Sequence, residues 1–154
     1  MVSMRNASGV PDPAIARRMD AMDADNTAWL LRAVGPGTWF TTKRIGRDGM
    51  DAAFLLLQHV DSSVQVQLLP TIQRSYAAGE VSGKEFALLS DRVATSFGRP
   101  QTYGTQADIK DGRLVFFPIE DSVGVDARRA NMGMMPLREV ATILDSMYVR
   151  KPAQ

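Results

Sequence analysis

His59 is the chain's single histidine, and imidazole is the side chain whose ordinary pKa, about 6.5, lies near neutrality. It stands in Gln58-His59-Val60-Asp61, so a carboxylate follows two residues later. Asp61 is off the helical face of His59 and reaches back only where the helix ends near Val60. A second polar set lies further along: Asp91-Arg92, then Gln101-Thr102-Tyr103-Gly104-Thr105-Gln106, then Arg128-Arg129. Amide and phenol groups orient polar ligands, and guanidinium forks suit carboxylate or phosphate. Read as chemistry, these residues predict a small metal-free enzyme working by acid–base catalysis on a polar metabolite or modified peptide. His59 would transfer the proton, Asp61 or Asp91 would orient it, and Tyr103 would complete the catalytic set. Gln58, Gln101, Gln106, Arg92, Arg128 and Arg129 would hold the substrate. Hydrolysis, elimination and isomerisation all stay open.

Each residue also has a structural use. His59 can donate to a carbonyl while Asp61 caps the next helix. Asp91-Arg92 sits among Leu88, Leu89 and Val93, so one of its charges is expected to be at least half buried and in need of a partner. Gly104 allows a positive φ or a close approach, and its neighbours can pin a loop. The competing expectation is therefore a non-enzymatic binding, accessory or immunity protein whose polar network is architectural.

Several classes are disfavoured at once. There is no cysteine, hence no disulfide, thiolate metal site or cysteine nucleophile. One histidine cannot build a multi-histidine metal centre, and no phosphate-loop, dinucleotide, zincin or nucleophile-elbow pattern occurs. No cofactor and no metal are expected. The 18 basic and 17 acidic residues leave a net charge of +1, which supplies no field for nucleic acid. No stretch reads as an export signal or membrane span, so a cytoplasmic location without membrane contact is expected. Nothing indicates an oligomeric state.

The elements that must position these residues read as mainly helical. The chain of 154 residues suits one domain, with a flexible tail over 1–11 and a single helical domain over 12–150. Asp12-Pro13 opens a helix to Val34, with Ile15, Met19, Met22, Trp29, Leu30 and Ala33 at helical spacing; Asp23, Asp25 and Asn26 threaten to divide it. Asp48-Gly49-Met50-Asp51 predicts the start of a second helix. A third, over about 62–78, carries Val66, Leu69, Ile72 and Tyr76, with Pro70 as a kink or break. Ser82-Gly83-Lys84-Glu85 has capping-box spacing for a helix with Phe86, Leu89, Val93 and Phe97 inward. Asp111-Gly112 signals a type I′ hairpin within about 105–118, pairing Lys110 with Arg113, Ile109 with Leu114 and Ala107 with Phe116. Asp126 is expected to cap a short helix closed by Gly133. Pro136 opens the last helix, with Leu137, Val140, Ile143, Leu144 and Met147 as its apolar residues. The fold class is thus a single-domain helical bundle with one small antiparallel β-hairpin.

QHVD at 58–61, Leu69-Pro70, DR at 91–92, QTYGTQ at 101–106, PIED at 118–121 and VDARR at 125–129 form an ordered series. That series resembles a bacterial domain family of unknown function over roughly residues 20–145. One departure is GTWFTTKRIG at 37–46, where a Gly-Trp-Pro opening is expected. The resemblance brings no activity. It implies that polar signatures on five segments converge, with His59, Tyr103, Gln106, Arg92 and Arg128 as neighbours.

Overall fold

The Asp12 carboxylate accepts the Ala14 backbone N–H at 2.8 Å, and Pro13 fills the first helical position. This cap starts α1 (Pro13–Val34), which Gly35 ends with a positive φ. The structure is a computed structural model and describes residues 12–148; the tail expected over 1–11 lies outside them. Among the described residues are six helices and one antiparallel hairpin, the mainly α class expected. The described residues divide into two compact units, the first ending at Val64 and the second starting at Gln65.

In the first unit α1 is continuous: Asp23, Asp25 and Asn26 do not divide it. Its buried residues are Leu30 and Val34, whereas Met19, Met22 and Trp29 are exposed. The apolar spacing extends over the whole helix, but only its last turns are packed. α2 (Thr42–His59) begins earlier than Asp48 implies, because Thr41 is its N-cap. The helix is broken at Gly46, whose φ is +70°, so its longer part restarts close to the expected Asp48, with Asp48-Gly49 inside its first turn rather than capping it. Met50, Ala53, Phe54 and Leu57 are buried as one stripe. Trp39 and Phe40, in the α1–α2 connection, are buried edge to face, with ring centroids 5.3 Å apart.

α3 (Ser62–Ala77), which belongs to the second unit from Gln65 on, runs through Pro70 without ending. Pro70 is exposed. The inward face of α3 is Gln65, Leu68, Thr71 and Ile72, and Val66, expected inward, is exposed. α4 (Gly83–Ser96) starts with the full capping box. Ser82 N–H donates to Glu85 Oε2 at 2.8 Å, and Glu85 N–H donates to Ser82 Oγ at 3.2 Å. Leu89 and Val93 are buried, but Phe97 is the C-cap residue and is exposed, because the helix has already ended there. Tyr76 of α3 stacks on Phe86 of α4 at 5.1 Å between ring centroids.

β1 (Ala107–Lys110) and β2 (Arg113–Phe116) pair in the expected register. Asp111 and Gly112 both take positive φ, as a type I′ turn requires. α5 (Val125–Asn131) has Gly124 as its N-cap. Asp126 serves a different helix: its Oδ1 accepts the Leu137 N–H at 2.7 Å and so caps α6 (Leu137–Tyr148). Leu137, Val140 and Leu144 of α6 are half buried and Ile143 and Met147 are exposed, with α6 packed against β2 and α5.

Candidate functional site

Asp91 is completely buried on α4, one turn or less from the buried Leu89 and Val93. A buried carboxylate must be hydrogen-bonded or paired, and its donors come from the QTYGTQ loop. Oδ1 accepts the Thr102 N–H at 2.7 Å and the Tyr103 N–H at 3.1 Å. Oδ2 accepts the Thr105 N–H and the Thr105 hydroxyl, each at 2.9 Å. Gly104, at φ +67°, turns the chain so that these donors point one way. A Cβ there would stand 3.0 Å from Leu137 Cδ1 and 3.1 Å from Ile119 Cδ1.

The carbonyls of the same loop point to two cations from α5. Arg129 is 2% exposed; its Nε donates to Met135 O at 2.7 Å and its Nη1 to Tyr103 O at 2.8 Å. Arg128 Nε donates to Thr102 O at 2.8 Å, and its Nη1 pairs with Asp121 Oδ2 at 2.9 Å. The N–H groups of Thr102, Tyr103 and Thr105 thus face a negative charge, and the C=O groups of Thr102, Tyr103 and Gly104 face positive ones. The Thr102–Tyr103 and Gly104–Thr105 peptides are each polarised in the sense that strengthens both contacts.

Gln101 is also fully buried. Its Nε2 donates to Gln106 O at 2.9 Å and Phe117 O at 2.8 Å, while its Oε1 accepts the Gln106 N–H at 2.8 Å. One amide side chain therefore clamps both strands where the hairpin opens. Its backbone extends the clamp, with Gln101 N–H donating to Pro118 O at 2.8 Å and Gln101 O accepting from Glu120 N–H at 3.0 Å. Gln106 lies beside Arg92, whose Nε reaches Gln106 Oε1 at 3.4 Å.

The charges respond to these surroundings. Burial lowers the pKa of Arg92 and, against the attraction of Asp126 and Asp91, that of Arg129. The Tyr103 phenol is pushed up, first by burial and then by Asp91 and Tyr76, with Arg128 opposing. It holds its proton more firmly than a free tyrosine, which suits a donor rather than a base. Asp121 is held below the ordinary carboxylate value, chiefly by the Gly124 N–H and then by Arg128.

The structure thus brings together Asp91, Arg92, Gln101, Tyr103, Gln106, Arg128 and Arg129, all in the second unit. The remaining expected site residues, Gln58, His59 and Asp61, belong to the first. α2 ends at His59, and Val60 takes an extended conformation. His59 and Asp61 then line one cleft of about 590 Å³ with Asp20, Asp23 and Thr27 of α1. His59 is exposed. The α1 residues were not among the expected ones, although positions 20, 24, 27 and 31 carry the spacing of one helical face. Asp121 was legible as part of PIED at 118–121 but not as the partner of Arg128. Among the described residues no group of three or more His, Asp or Glu side chains is placed to hold a metal ion, and no helix is long and apolar enough to cross a membrane.

No curated protein and no solved structure matches the chain. Residues 5–152 match the Family of unknown function (DUF6624), and the chain belongs to that family.

Proposed function

We propose that this chain is a non-enzymatic binding or accessory protein, in which the polar signature residues are architectural. One observation carries the reading: the polar side chains that converge on QTYGTQ bond its backbone. Asp91 takes the N–H groups of Thr102, Tyr103 and Thr105. Gln101 takes Gln106 and Phe117, and Arg128 and Arg129 take the carbonyls of Thr102 and Tyr103. Groups that act on a substrate must face it, whereas these direct most of their hydrogen bonds at the chain that carries them. The network contains no histidine.

Thermal unfolding of Gln101→Leu tests this role. Losing three buried hydrogen bonds and orphaning their partners costs about 2–4 kcal/mol, so the melting temperature falls by several degrees. A variant that melts with the parent overturns the architectural reading.

The cleft beside His59 favours a second reading, in which acid–base chemistry resides in the first unit. There the imidazole has carboxylates from Asp20, Asp23 and Asp61 around one cavity. A metabolite that raises the melting temperature of the parent but not of His59→Asn supports it. Equal shifts in both proteins count against it.

A further inference from the structure

We infer that the second unit binds a small carboxylate with an apolar body, seated in the groove beside Arg129. This deepens the binding-protein reading and rests on it. The groove has a volume of about 430 Å³, within the range of small-ligand pockets, about 300–1,000 Å³. Leu88, Phe116, Met134, Val140 and Leu144 form apolar walls, and its lining includes Lys84 and Arg129 but no Asp or Glu.

Arg129 supplies the polar anchor. It is 98% removed from solvent, since only 2% of its surface is exposed. Among the described residues no carboxylate lies within ion-pair distance of it; the ion pair there is Arg128 with Asp121. Nε and Nη1 are engaged by the carbonyls of Met135, Tyr103 and Gly104. Arg129 lines the groove, and its Nη2 has no hydrogen-bond partner among the described residues. It is the donor left for whatever enters the groove. Asp91 and Asp126 attract this guanidinium from further away, and Asp91 is already engaged by the loop N–H groups.

A carboxylate on Nη2 would give the buried cation its missing direct counter-charge, through a charge-assisted bond. Lys84, exposed at the rim, adds attraction for an anion. Thr105 contributes no free donor, because its hydroxyl already donates to Asp91 and accepts from Gln106. With one open guanidinium nitrogen and mostly apolar walls, the groove suits a monoanion with a hydrocarbon chain better than a phosphate.

The test is titration of the full-length, isotope-labelled protein with octanoate and, separately, octanamide, followed by amide NMR. Octanoate is expected to move the signals of Gly104, Thr105, Gly133 and Met134 saturably, and to bind at least about tenfold more tightly than octanamide. Lys84→Glu, an exposed change outside the buried network, is expected to weaken octanoate severalfold and leave octanamide unchanged. Equal affinity for acid and amide overturns the proposal, as does no saturable shift or one centred elsewhere. Octanoate failing while Gln101→Leu is destabilised removes the groove alone. Octanoate binding while Gln101→Leu melts with the parent removes the architectural reading and leaves the groove.

Discussion

Replacing Asp91 by Asn tests the buried network with almost no change of shape. The carboxylate accepts three backbone N–H groups and one hydroxyl, and its exposure is zero. Asparagine retains one acceptor oxygen and presents an NH₂ group in place of the other. With that group at Oδ1, the Thr102 N–H meets a donor; with it at Oδ2, the Thr105 N–H does. Either rotamer leaves at least one buried backbone donor unpaired and converts the other bonds from charged to neutral. Hydrogen bonds to charged groups contribute about 1.5–3 kcal/mol each, and an orphaned buried donor costs about 1–3 kcal/mol. The buried Arg129 also loses the nearby negative charge. A loss of about 3 kcal/mol is a conservative sum. For a chain of this size 1 kcal/mol moves the midpoint by about 2–4 °C, so a fall of about 6–12 °C is expected. Circular dichroism at 222 nm during heating reads the midpoint, and hydrogen exchange at Thr102, Tyr103 and Thr105 locates the damage. A midpoint within about 2 °C of the parent, with those amides still protected, would refute the reasoning.

Gly104→Ala is expected to cost about 1–3 kcal/mol, since the new Cβ meets positive φ and the methyls of Leu137 and Ile119. The urea midpoint measures it, and an unchanged midpoint contradicts the loop geometry. Ser82→Ala removes one half of the capping box and should lower stability by about 1 kcal/mol, again read from urea unfolding. Asp121 has a folded pKa below its unfolded value, so its contribution is complete above the ordinary carboxylate range. That contribution disappears as pH falls through the depressed value. Asp121→Asn should therefore lose less stability than the parent on acidification, and parallel pH profiles would argue against the Arg128 pair.

The sequence by itself determined the features that local chemistry dictates. Asp12-Pro13 and Ser82 with Glu85 mark helix starts because capping partners lie within three residues. Asp111-Gly112 set the hairpin register because a two-residue turn leaves no other pairing. The burial of a charge in the Asp91-Arg92 pair was also readable, since apolar neighbours surround it. Tertiary structure alone decided the rest. The partners of Asp91 lie 11 and more residues away, and those of Arg129 up to 26, beyond any spacing rule. Asp126 illustrates the same point, as its carboxylate caps the helix 11 residues later rather than its own. Val66, Phe97 and Met19 have core-like side chains yet are exposed, because periodicity names a face without saying what packs on it. Composition placed hydrogen-bonding side chains in QTYGTQ; the fold directed Asp91, Gln101, Arg128 and Arg129 at the loop's backbone. It also put Arg129, held by carbonyls and without a direct counter-charge, in the lining of a largely apolar groove.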